Sequence, residues 1–338
     1  MTTSSQQQNV ADRAYINPPL PKVLVIVGPT AAGKKAFALQ AARLFDGEIV
    51  SADSRKVYRC LDIGTAKPSP LDRAAVPHHL IDVVDPDEPF SAGEWVSLAS
   101  EAVSGIIARG RLPILSGGTG FYIEAFRHGL TGSFVSDPDV RAMLEHETTA
   151  KGTPALFEQL REIDPQRASE LHENDTFRIM RALEVYHITG RTFTRLRTDP
   201  RISGGEYDYH FMGITLERER LYHRIGQRVD AMVEAGLVGE VERILAMGFP
   251  RTLTALDTVG YKEFFPYLDG DSSLAECIGQ MKRNTRRYAK RQLTWFRARP
   301  HITWFDVSDE GELLRAFDSI HSWLSGYDRA VGADDEKS

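Results

Sequence analysis

Val23–Lys35 reads VLVIVGPTAAGKK, and this stretch decides the fold. Its first five residues are apolar, four of them β-branched, with the length and composition of a strand buried on both faces. Gly28-Pro29-Thr30-Ala31-Ala32-Gly33-Lys34 then fits the pattern G-x-x-x-x-G-K. Successive backbone N–H groups of such a loop cradle an oxyanion at a helix start, where the helix dipole favours the same charge. Lys34 adds a cation for the outer phosphate. The next position normally carries a Ser or Thr whose hydroxyl meets magnesium; here it is Lys35, which has no such ligand to offer. The loop therefore predicts a bound phosphate, and leaves chemistry on that phosphate undecided.

Working outward, short apolar runs alternate with helical patterns. Val23–Val27, Glu48–Ser51, His79–Val83 and Leu112–Leu115 read as strands, with helices over Lys34–Phe45, Ser91–Arg109 and Thr119–His128. This predicts an α/β fold: a P-loop NTPase-like parallel sheet with helices on both faces. Residues 137–206 differ, because Asp137-Pro138, Thr153-Pro154, Asp164-Pro165 and Asn174-Asp175 each resemble helix starts without strand-like runs between them. They predict an inserted helical domain. His210–Ile214 returns the chain to the sheet, followed by helices at 217–234, 237–247 and 273–297, a strand at 302–306 and a closing helix. The core is thus expected over 21–136 and 207–326, with tails at 1–20 and 327–338 expected to be disordered.

The 338 residues are 42% hydrophobic and 26% charged, with a mild net charge of −6. That balance excludes a general polyanion binder, yet Lys282 to Arg299 holds eight Lys or Arg and no acid. Arg283, Arg287, Lys290 and Arg291 recur at helical spacing, interleaved with Tyr288, Trp295 and Phe296, which points to a phosphate-rich partner such as nucleic acid. Two cysteines, Cys60 and Cys277, make no disulfide framework and read as packing residues of a cytoplasmic protein. Neither a membrane-length apolar run nor a signal-peptide pattern is evident.

Three further features fall at carboxyl ends of expected strands, where open α/β sheets bind ligands. Asp53 ends the second strand and reads either as a proton acceptor or as a cap for the turn at Ser54. Gly117-Gly118-Thr119-Gly120 follows the fourth strand and opens a helix. His78-His79, with Asp82 and Asp85, could suggest a metal, but no second cluster matches it.

Together the segments GPTAAGK, SADSRKVYRCLDIGTAKP, HHLIDVVDP, GGTGFY, NDTFRIMRALEVYHITG, RIGQRVDAMVEAGLVGEV, TVGYKEF and RRYAKRQLTWFR, in this order over nearly the whole chain, resemble the tRNA dimethylallyltransferases. DIGTAKP and YAKRQLTWFR are specific to that family. The resemblance implies transfer of a dimethylallyl group from dimethylallyl diphosphate to N6 of adenine 37 beside the tRNA anticodon. It also implies a magnesium ion, a monomer and a cytoplasmic location, with the anticodon stem-loop as macromolecular partner. It assigns Asp53 as general base, with Thr119, Lys34 and Arg228 catalytic, and Gly28, Pro29, Thr30, Ala31, Ala32, Gly33, Lys34 and Lys35 holding the diphosphate or a nucleotide such as ATP. tRNA contacts are implied for Asp53, Ser54, Arg55, Lys56, Thr119, Arg141, Phe177, Arg178, Arg181, Gly260, Tyr261, Lys262, Arg286, Arg287, Lys290 and Arg291.

Two positions depart from the family pattern: Lys35 stands for its Thr and Lys56 for its Gln. The first removes a magnesium ligand and puts a cation in its place, so no metal ligand is assigned with certainty. Either Lys35 substitutes in part for the metal's charge, or the chain is a catalytically impaired tRNA-binding paralogue. A P-loop small-molecule kinase would share the loop and Asp53 but would not need the basic helix. A prenyltransferase acting on free adenosine phosphates would not need the helical insertion.

Overall fold

The computed structural model describes residues 19–130, 137–196 and 206–326. The expected tails lie outside these apart from residues 19 and 20. Strands β1 (Lys22–Val27), β2 (Gly47–Ala52), β3 (His78–His79), β4 (Leu112–Gly117), β5 (Asp208–Thr215) and β6 (Thr303–Asp306) form one sheet in the order β3-β2-β4-β1-β5-β6. Every pairing is parallel. Both faces of β1 are covered from Val23 to Val27, and those five residues are apolar. Val23, Val25 and Val27 point into one core, while Leu24 and Ile26 point into the other.

Helices α1 (Lys34–Leu44), α2 (Pro70–Ala75), α3 (Ala92–Ala108) and α4 (Gly120–His128) belong to the first half of the chain. Capping boxes at Ser69 and Ser91 fix the starts of α2 and α3. Between β4 and β5 the chain builds α5 (Pro138–Lys151), α6 (Thr153–Ile163), α7 (Pro165–Ser169), α8 (Thr176–Thr189) and α9 (Phe193–Leu196). Leu144, Leu156, Leu160, Ile179 and Leu183 give this segment a core of its own. Asp137, Asp164 and Asp175 cap α5, α7 and α8 with their carboxylates.

After β5 follow α10 (Arg218–Glu234), α11 (Leu237–Ala246), α12 (Phe265–Leu268), α13 (Leu274–Arg297) and, beyond β6, α14 (Glu310–Ser325). Helix α13 serves both cores: Cys277, Met281 and Phe296 enter one, Ala289 the other. Cys277 is buried there, in keeping with a packing role.

The strand expected over His79–Val83 is not formed. Pairing stops at His79, because Leu80 and Asp82 take positive φ (61° and 58°) and turn the chain. Asp82 is held in that turn by Lys67 and Arg73. The apolar residues here pack against the cleft and core as an irregular segment, which periodicity alone cannot separate from a short strand.

Candidate active site

The loops after β1, β2 and β4 meet at the carboxyl edge of the sheet around a cleft of about 300 Å³. In the phosphate-loop sequence, Gly28 has φ 142°, and a Cβ there would lie 2.1 Å from the Ile214 carbonyl oxygen of β5. Glycine is therefore required for β1 to run beside β5 and turn. Gly33 caps α1 without a side-chain hydrogen bond. The first helical bond runs from Phe37 N–H to Gly33 O, so the amides from Gly33 to Ala36 precede the helix ladder and suit an anion. Not every amide of the loop is available. Thr30 N–H donates to Gln292 Oε1 (2.8 Å) and Ala32 N–H to Pro29 O (3.3 Å).

Lys34 Nζ donates to the carbonyls of Gly28 (2.8 Å) and Pro29 (2.7 Å). Its pKa is pulled down to about 7, first by burial, then by the neighbouring charges of Lys56 and Arg228, with Asp53 opposing. Burial likewise lowers Lys56 and Arg228, again opposed by Asp53. Three half-buried cations thus crowd one carboxylate. Asp53 Oδ1 accepts the Arg55 N–H (2.9 Å), so the capping role considered for Asp53 is real. Its Oδ2 takes no hydrogen bond among the described residues, and Asp53 lines the cleft all the same.

Thr30, Ala31, Gly33, Lys34, Lys35, Asp53, Lys56 and Arg228 are brought together around the cleft. Gly28, Pro29 and Ala32 lie beneath it, and Thr119 ties two loops together instead. Thr119 Oγ1 accepts the Ser54 N–H (3.0 Å), and Thr119 N–H donates to Ala52 O (3.1 Å). Arg55 reaches away to the Thr254 carbonyl (2.6 Å). Lys35 stands at the rim, half exposed, paired with Asp72 Oδ2 at 3.0 Å.

Sequence reasoning missed Gln292, Tyr288 and Arg224 as cleft residues. Gln292 joins two loops, since its Nε2 also donates to Gly118 O (3.0 Å). A Cβ on Gly118 would sit 2.1 Å from that nitrogen, so the glycine admits the glutamine. The signal was there: Gln292 falls on the buried stripe Thr285, Ala289, Phe296 of α13, and a buried amide needs partners. Tyr288 lies one turn earlier, and burial followed by Asp53 pushes its hydroxyl well above the usual range. Arg224 sits one turn before Arg228 on α10.

The tRNA-contact expectations separate into groups. Arg141, Phe177 and Arg181 line a groove of about 260 Å³ between α5 and α8, with Phe177 68% exposed. Arg178 lies beside it, paired with Asp175. On α13, Arg287, Lys290 and Arg291 are exposed, whereas Arg286 is half-buried over the Tyr222 ring. Lys262 is exposed and paired with Asp257. Tyr261 is a correction, being completely buried with its hydroxyl donating to Glu240 Oε1 (2.7 Å). Glu240 also accepts N–H groups of Asp62, Ile63 and Gly64. Gly260 is buried too and donates its N–H to Glu263. Gly260 and Tyr261 thus buttress the loop 61–68, and the Tyr261 side chain is closed to a nucleic acid.

The donor set does not fit a magnesium ion. The residue after Lys34 offers an ammonium, and the one carboxylate lining the cleft is surrounded by cations. Among the described residues no group of three or more His, Cys, Asp or Glu could hold a metal, and His78-His79 gains no partner cluster. His79 instead meets Glu48 at 2.7 Å.

A family model described as IPP transferase matches residues 56–299. A tRNA dimethylallyltransferase of Pelobacter propionicus is 48% identical over 293 residues, covering 87% of this chain and 95% of its own length. This chain belongs to the tRNA dimethylallyltransferase family. One from Geobacter metallireducens is 44% identical over 90% of this chain and 97% of its own. The crystal structure of a full-length tRNA isopentenylpyrophosphate transferase from Bacillus halodurans matches with TM-score 0.65 and 42% identity, over 90% of this chain and 96% of that one. A eukaryotic dimethylallyltransferase, described as acting on tRNA, matches with TM-score 0.77 and 28% identity, over 90% and 80% of the two chains.

Proposed function

We infer that this chain transfers a dimethylallyl group from dimethylallyl diphosphate to N6 of adenine 37 in tRNAs, releasing diphosphate. The reading rests on one juxtaposition: Lys34, Lys56 and Arg228 line the same cleft as Asp53. The amides from Gly33 to Ala36 and the three half-buried cations would hold the diphosphate. Negative charge grows there as the allylic C–O bond breaks, and charges held in place in a half-buried cleft act on it more strongly than they would in open water. Ile49, Ala66, Pro68 and Ile81 give the cleft an apolar wall suited to a branched prenyl chain.

The N6 lone pair is delocalised into the purine, so the amine is a weak nucleophile that becomes acidic as the new bond forms. In the step, the N6 lone pair makes the C–N bond and the C–O electron pair leaves with diphosphate. The amine proton passes to an Asp53 carboxylate oxygen. An adenine must leave its stack to enter a cleft of this kind. Arg141, Phe177, Arg181 and the exposed cations of α13 would hold the flanking nucleotides, chiefly through phosphates. Among the described residues no helix is long and apolar enough to cross a membrane, and we expect a monomer acting in the cytoplasm.

The test offers labelled dimethylallyl diphosphate to the chain with tRNA and free AMP together. Label in tRNA is expected, and Asp53→Asn should lower the rate by roughly 10²–10⁴-fold. Label in AMP alone, or in neither acceptor, rejects the reading.

A further inference from the structure

The cleft faces its ligand with five Lys or Arg side chains and one acid. Two of these cations stand out. Lys35 occupies the helix position whose hydroxyl would meet a metal, and Lys56 is a half-buried ammonium on the loop after β2. We propose that Lys35 and Lys56 together replace the divalent cation, so that this chain binds diphosphate without magnesium. The assignment deepens the transferase reading and rests on it for the identity of the ligand.

Two unit charges on two lysines equal the charge of one divalent ion once diphosphate draws the Lys35 ammonium from Asp72. They reach the cleft from two elements, Lys35 from the first turn of α1 and Lys56 from the loop after β2. Lys35 is not loose: Asp72, itself the N3 residue of the Ser69 capping box, holds its Nζ at 3.0 Å. That contact holds the ammonium at the rim of the cleft. Lys56 is half-buried on its loop and lines the same cleft. Desolvation first, and neighbouring cations after it, lower the pKa values of Lys34 and Lys56, and a polyanion between them would offset both effects. A magnesium ion in a cleft lined by five Lys or Arg side chains and one acid would be repelled.

Isothermal titration of the full chain with inorganic diphosphate, once in EDTA and once in excess Mg²⁺, tests this directly. Affinities within about fivefold of each other are expected, and a gain of more than about fivefold with Mg²⁺ overturns the proposal. Lys35→Thr and Lys56→Gln should each weaken metal-free binding by roughly tenfold or more, as loss of a charge-assisted contact does. Unchanged metal-free affinity in either variant overturns the role of that lysine. Lys35 is half exposed, so its variant keeps the test open even if the Lys56 variant fails to fold. Transfer of label to tRNA is followed on the same preparations. Metal-free diphosphate binding without any transfer to tRNA rejects the transferase reading alone, whereas metal-dependent binding with intact transfer rejects the present proposal alone.

Discussion

Gln292 is the bolt between the basic helix and the phosphate-binding loop, and replacing it by leucine removes that bolt at nearly constant volume. The side chain is 6% exposed and makes two hydrogen bonds, one accepted from Thr30 N–H and one donated to Gly118 O. Leucine leaves both backbone groups without their partner. An unsatisfied buried group costs about 1–3 kcal/mol, and water can reach part of this cleft, so the expected loss is about 2–4 kcal/mol. A folded chain holds about 5–15 kcal/mol in reserve, so the variant still folds. The loss should be concentrated where the bond was. Hydrogen exchange at the Thr30 amide should quicken by more than about tenfold while amides of β1 stay protected. Diphosphate affinity should fall with it, since the loop is no longer held in its anion-binding shape. Gln292→Glu separates two effects: it can still accept from Thr30 N–H, so the amide stays protected, but its negative charge opposes the diphosphate. Unchanged Thr30 exchange in the leucine variant would refute the bridge. Faster exchange with unchanged diphosphate affinity would refute its link to binding.

Three further outcomes follow from charge and packing. With its pKa pulled down to about 7, Lys34 loses its charge as pH rises through that value, so diphosphate affinity should weaken above about pH 7, and Lys34→Gln should lack this component in titrations from pH 6 to 9. Tyr261→Phe removes the hydroxyl bonded to Glu240, so chemical denaturation should show a loss of about 1–3 kcal/mol, while tRNA affinity in gel-shift titrations stays unchanged. Glu48 is buried; burial raises its pKa, but Arg109, His79 and Arg111 outweigh this and hold it at about 2. Because the folded value lies below the unfolded one, the contribution, about 3 kcal/mol, is complete above pH 4.5 and disappears as pH falls towards 2. Glu48→Gln should flatten the acid limb of a stability-against-pH profile.

The sequence by itself determined the sheet and the anion-binding loop. Both are local: VLVIV is apolar because β1 is covered on two faces, and Gly28 and Gly33 are demanded by backbone geometry within a few residues of each other. The helical insertion was equally legible, since Asp137, Asp164 and Asp175 announce helix starts by their own hydrogen bonds. Only the tertiary structure decided which polar residues meet across long separations in the chain. Gln292 lies 262 residues from Thr30, and Glu240 lies 177 from Ile63. No periodicity records such a pairing, because it depends on how α11 and α13 pack against the sheet edge. For the same reason TVGYKEF read as a surface for nucleic acid when its tyrosine is a buried prop. A tyrosine's exposure is set by what folds over it. The two lysines at the cleft divide the same way: their charge was written in the sequence, but their convergence on one pocket was fixed by the crossing of separate loops.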